Sequence, residues 1–171
     1  MAAGTLNLKI ITPDRIVFDA PVKQVTARAV DGELTILPDH EPIVTALAID
    51  VVEFTGESSV ETAAVIGGVM EVKKGDDAIR ERDAGNKGKD AKDKDKEEFD
   101  PNATYVTIVS NLAELDAEID EARAMQAKNR LEAEKTQKTD KLETHLAEMA
   151  LSKAMTRLKA VEMVKRRKGN R

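Results

Sequence analysis

The chain changes its hydrophobic rhythm twice. Up to Lys74, apolar and polar residues alternate over short stretches. TLNLKIIT puts Leu6, Leu8 and Ile10 on one side, and VKQVTARAV, ELTIL, LAIDVVEF, VETAAVIG and VMEVKK follow, rich in β-branched residues. Turn-forming residues separate them at Pro13–Asp14, Asp31–Gly32, Gly56–Glu57–Ser58 and Gly67–Gly68. Short strands at close spacing predict an antiparallel sandwich or barrel.

From Lys73 to Ala103 the pattern lapses. More than half of these residues are charged, with the signs nearly balanced, and only Ile79 and Phe99 carry a sizeable apolar side chain. Such a segment buries too little surface to offset its ordering entropy, and mixed signs give it no field with which to hold a metal or a nucleic acid. It reads as a solvated, disordered insertion. TYVTIVSN then restores the strand pattern, and pairing Val69–Lys73 with Tyr105–Val109 would make 73–103 an oversized hairpin loop, which closure entropy tolerates.

The last third is helical. Asn111 with Glu114 reads as a capping box, followed by an apolar stripe of Leu112, Leu115, Ile119, Ala122 and Met125. TQKTD interrupts it. Asp140 with Glu143 opens a second helix with a stripe of Leu142, Leu146, Met149, Ala150, Met155, Leu158 and Val161, and Gly169 fits its end. The fold class predicted is α+β: an antiparallel β-sandwich of about ten strands over residues 1–110, then an antiparallel two-helix hairpin over 111–171. The Ala-rich seam makes that hairpin a marginal object, able to leave its seat for a better surface.

Composition narrows the function. The 171 residues carry a formal charge of -5, two His, no Cys, no Trp, one Tyr and three Phe. A net negative chain poor in aromatics argues against nucleic acid. The lack of Cys removes thiolate chemistry, and no His pair stands at the i, i+4 spacing of a zinc helix. The apolar runs are too short to insert in a membrane, and the first residues lack a secretory pattern.

Asp39, His40 and Glu41 sit between two prolines. Neighbours on an extended chain point apart, so a docking or structural corner is the stronger reading and catalysis the weaker. His145 reads as an ordinary helix residue. From Ala150 onward, Lys153, Arg157, Lys159, Lys165, Arg166, Arg167, Lys168 and Arg171 face Glu162 alone, a basic end that suits either the helix dipole or an acidic partner.

GELTILPDHEPIVTAL resembles the G-E-L-G-I-L-P-G-H-x-P-L-x-T-x-L signature of the epsilon subunit of bacterial F-type ATP synthases. VIGGVMEV is similar to that family's S-G-G-x-x-E-V hairpin, and EIDEARAMQAK and ALSKAMTRLKAVEM resemble its two C-terminal helices. The likeness covers nearly all of the chain outside 75–103. Asp39 stands where the signature has Gly, Thr35 replaces a second Gly, and Ile66 replaces Ser.

The resemblance implies a noncatalytic central-stalk subunit, peripheral on the cytoplasmic face of the bacterial plasma membrane. It would rotate with the gamma subunit on the c-ring, passing torque to the catalytic ring. Glu33, Asp39, His40 and Glu41 would dock on the c-ring. The hairpin would fold on the sandwich or extend along gamma and inhibit ATP hydrolysis. Lys153, Arg157, Lys159, Lys165 and Arg166 would then meet the beta subunit, with alpha adjoining. Some family members hold regulatory ATP through I/L-D-x-x-R-A; Asp120, Arg123 and Ala124 fit that motif, with Glu114 and Arg157 at further ATP-contacting positions. No other cofactor, catalytic residue or metal is implied. The competing readings are a stand-alone ATP sensor on the same fold, an enzyme using Asp39 and His40, and an adaptor in an unrelated assembly.

Overall fold

The computed structural model describes residues 6–57, 59–85, 100–135 and 141–169. The strands are β1 (Leu6–Ile11), β2 (Ile16–Val22), β3 (Gln24–Ala29), β4 (Gly32–Ile36), β5 (Ile43–Thr55), β6 (Val60–Lys74), β7 (Thr104–Val109) and β8 (Ala113–Leu115). The α-helices are α1 (Gly75–Gly85), α2 (Glu121–Lys135) and α3 (Lys141–Gly169), with a 3-10 turn at Asp116–Glu118.

All eight strands join one sheet in the order β2-β1-β7-β6-β5-β3-β4, with β8 added beside β6. Strands sit about 4.8 Å apart in a ladder, which would hold β2 and β5 far from each other in a flat sheet. Yet the rings of Phe18 of β2 and Phe54 of β5 pack at a tilt with centroids 4.4 Å apart. The sheet therefore folds over itself, and Leu6, Leu8 and Ile10 of β1 share one buried core with Val25 and Ala27 of β3. That is the sandwich, closed over alternating apolar residues that are almost wholly removed from water.

The strand count is eight among the described residues, against the ten or so expected, and Gly67–Gly68 accounts for one strand of the difference. These glycines do not turn the chain back; β6 runs straight through them with φ of 65° and 129°. Left-handed backbone of this kind suits glycine. The ladder with β5 keeps its register on both sides, from Leu47–Gly68 to Ile49–Ile66. Nor is the sheet wholly antiparallel, since β1 and β7 pair in parallel. β6 and β7 pair from Val69–Val109 to Lys73–Tyr105, the register that the sequence predicts.

Two expectations about order and boundaries change. Residues 75–85, read as part of a disordered insertion, form α1, with Asp76 and Asp77 favourably placed in its first turn and Ala78 buried. Residues 86–99 lie outside the described set, as does Asp140 of the second capping box. The helix expected from Asn111 begins only at Glu121. Ala113 is buried in the sandwich core, and the Glu114 carboxylate is taken by Arg157, so this stretch serves β8 instead. Asp120 is the cap: its Oδ1 accepts the Arg123 N–H at 3.0 Å.

Candidate functional site

Two regions carry the candidate residues. The first is the Pro38–Pro42 bend after β4. Asp39 holds φ 68°. The His40 N–H donates to the Leu37 carbonyl at 3.1 Å, and the His40 ring Nδ1 lies 2.7 Å from the Glu41 carbonyl. The imidazole thus engages a backbone oxygen rather than a carboxylate, an arrangement that orients the ring without activating it. Lys74 at the end of β6 reaches Glu41 at 3.0 Å and Asp39 at 3.8 Å, and Glu41 in turn holds the Lys74 ammonium protonated above its ordinary range. Leu37, Ile43 and Val44 around the bend are exposed. Glu33 stands at the other end of β4, beside the β3–β4 hairpin opposite Arg28, so the strand separates it from the bend.

The second region is the seam between α3 and the sandwich. Residues 142, 146, 149, 153, 156, 160, 163 and 167 follow one another by three or four, which makes one stripe along the helix. Its upper half is seated. Ala160, wholly buried, packs on Val51 and Ala64, joined by Ile119 and Met163. Arg167 pairs with Glu53. Beside the stripe, Lys159 pairs with Asp50 at 2.5 Å, and Arg157 makes two bonds to Glu114 at 2.6 and 2.9 Å. That carboxylate raises the Arg157 pKa further above its usual value. Lys165 reaches back to Glu121 at the start of α2 at 2.5 Å, which sets the two helices antiparallel.

The lower half of the stripe is bare. Leu142, Leu146 and Met149 are exposed, as is Met155 on another face. The residues buried in α3 are small: Ala147, Ala154, Thr156 and Ala160. The sequence stripe was legible as apolar, but its burial is not what amphipathicity predicts. Similarly Ala124 is buried on α2, while Met125 and Ala122 are exposed.

The five nucleotide candidates gather only in part. Glu114 and Arg157 are joined to each other. Asp120, Arg123 and Ala124 share the first turn of α2, where the Asp120 carboxylate caps the helix. Among the described residues nothing pairs with the Arg123 guanidinium, which leaves it open to an anion. A cleft of about 640 Å³ opens between the hairpin and β5, with Asp50, Lys128, Glu148, Met155 and Lys159 among its walls, and none of the five lines it. Of the basic set, Arg157, Lys159 and Lys165 are paired within the chain, and Lys153 and Arg166 have no ion-pair partner among the described residues. Sequence reasoning missed Asp50 and Glu53, two acids inside an apolar strand. Their role shows only once the basic helix lies across them.

Residues 5–79 match the family described as ATP synthase, Delta/Epsilon chain, beta-sandwich domain. Residues 117–162 match its long alpha-helix domain. The ATP synthase epsilon chain of Desulforamulus reducens is 33% identical over 160 residues, covering 94% of this chain and 99% of that one. That of Bacillus licheniformis is 34% identical over 154 residues, covering 90% and 95%. A chain of the Euglena gracilis mitochondrial ATP synthase superposes with a TM-score of 0.64 at 21% identity, over 94% of this chain and 81% of that chain. One from the Tetrahymena thermophila enzyme gives 0.51 at 14%, over 94% and 99%. At those identities the two solved structures speak for the fold alone.

Proposed function

This chain belongs to the epsilon-chain family of ATP synthase, and we propose that it works there as a noncatalytic rotor subunit with two surfaces of different duty. The sandwich grips gamma and, through the bend at Asp39, His40 and Glu41, the c-ring, so that ring rotation reaches the catalytic subunits. Glu33, displaced along β4, would touch a separate part of the same partner. No described helix is long and apolar enough to cross a membrane. As a member of that assembly, the subunit would be held peripherally, on the cytoplasmic face of the plasma membrane, by its partners.

The hairpin is the regulatory surface. The observation that carries this reading is the half-seated stripe of α3, where small residues and ion pairs hold the upper half and Leu142, Leu146 and Met149 stay bare. A helix so placed loses little on leaving and gains apolar burial on a partner. Arg157, Lys159 and Lys165 would exchange Glu114, Asp50 and Glu121 for acids of the beta subunit, with Lys153 and Arg166 added, at little electrostatic cost. Removing Lys141–Arg171 should leave assembly intact and raise ATPase activity severalfold. An unchanged rate in the assembled complex would refute inhibition by the hairpin.

Regulatory ATP is the finer part of the proposal. The open Arg123 guanidinium at the first turn of α2 supports an anion there, and Arg157 would join it by releasing Glu114. Calorimetric titration of the isolated subunit with ATP tests this: heat of binding that Arg123→Ala abolishes is expected, and no heat at millimolar ATP would end it.

A further inference from the structure

The bend and the insertion are distant in sequence and meet in space. Asp39 occupies the left-handed region that glycine enters freely and a residue with a side chain enters at a cost. The family signature has Gly at this position. Here two groups from the two roots of the insertion stand at residue 39 instead, one on its backbone N–H and one on its side chain. From the returning root, the Thr104 hydroxyl, on a residue only 1% exposed, accepts the Asp39 N–H at 2.8 Å. From the outgoing root comes the Lys74 ammonium, between the Asp39 and Glu41 carboxylates. Thr104 and Lys74 face each other as cross-strand partners, and one residue further the Gly75 N–H closes the root on the Ala103 carbonyl at 2.8 Å.

We propose that Thr104 and Lys74 are positioning residues for the docking bend: together they replace glycine in keeping residue 39 left-handed, and so present His40 to a partner loop in one orientation. This rests on the reading of the bend as the c-ring contact. The Asp39 and Glu41 side chains are 89% and 82% exposed, so the Lys74 pairs are screened and weak. The bond to the buried hydroxyl carries most of the effect. Lys74 adds relief of the repulsion that Asp39, in place of Gly, creates with Glu41.

Amide exchange by NMR on the full-length chain tests the positioning directly. Thr104→Val keeps the shape and removes the acceptor, and should speed exchange at Asp39 and His40 about tenfold. Thr104→Ser, which keeps the hydroxyl, should stay within about twofold, and Lys74→Met on the surface should give a rise of about two- to threefold. Adding Asp39→Gly to Thr104→Val should restore protection of His40. Unchanged exchange in both Thr104→Val and Lys74→Met overturns the proposal; if Thr104→Val does not fold, unchanged exchange in Lys74→Met alone overturns it. Binding of the chain with gamma to purified c-ring is the second arm, expected about tenfold weaker in Thr104→Val. Faster exchange with unchanged ring binding would overturn the docking reading and leave the positioning standing.

Discussion

Arg157 crosses from the middle of α3 to grip both carboxylate oxygens of Glu114 on β8, with Nε at 2.6 Å and Nη2 at 2.9 Å. Both side chains are less than a third exposed, so this pair is shielded better than its neighbours along the seam. Paired forks of this kind are among the stronger surface contacts, worth about 1 kcal/mol here. Glu114→Gln should therefore speed hydrogen exchange along α3 by about fivefold, with the sandwich amides unaffected. Equal rates in α3 would mean that the clasp does not hold the hairpin down.

The bare half of the α3 stripe separates folding from regulation. Leu146 and Met149 are 57% and 39% exposed and belong to neither buried cluster, so Leu146→Ser and Met149→Ser should each move the unfolding free energy by no more than about 1 kcal/mol. In the assembled complex the same changes should relieve ATPase inhibition, read as a higher hydrolysis rate. A large loss of thermal stability with no change in rate would contradict this.

Gly68 is fixed by contact as well as by backbone angle. A Cβ there would stand 2.3 Å from the Val109 carbonyl oxygen, at φ +129°. Gly68→Ala should cost more than about 2 kcal/mol, seen as a fall in unfolding midpoint. At Gly32, where a Cβ would meet no atom within 4 Å, the backbone angle alone opposes alanine and the loss should be smaller.

Acid should loosen the junction between the sandwich and the hairpin through Glu118. Two bonds from Arg15, at 2.8 and 2.6 Å, and one from the Leu115 N–H at 3.2 Å hold its carboxylate below the ordinary 4.5. A lowered folded-state pKa gives stability that is complete above pH 4.5 and lost as pH falls through the folded value. Unfolding midpoints of the wild type and Glu118→Gln should therefore converge below pH 4.5 and separate above it. Parallel curves would show that Glu118 is not the titrating group.

The sandwich was legible because β1 and β3 alternate apolar and polar residues almost throughout, and burial follows that alternation residue by residue. Gly67–Gly68 misled because a glycine pair signals a turn and a strand crossing equally well; only the Val109 carbonyl packed against it decides between them. The false cap at Asn111 arose because Glu114 satisfies the capping pattern while its side chain answers to Arg157, 43 residues away. Helical spacing found the α3 stripe, but spacing says nothing of where the supporting sheet stops. The bend was visible from its prolines, whereas Thr104 and Lys74 lie beyond any local pattern.

The parallel pairing of β1 with β7 bears on the order of events at the ribosome. The partner of Leu6 is Thr104, so the first strand made waits for nearly the whole sandwich sequence before its ladder is complete. Contacts so distant along the chain slow the search for the native state, while the entropic cost of the enclosed segment grows only logarithmically with its length. Additional charged residues between β6 and β7 therefore lengthen that wait slightly and leave the finished sheet almost untouched, which is how a segment of this size persists inside a small domain.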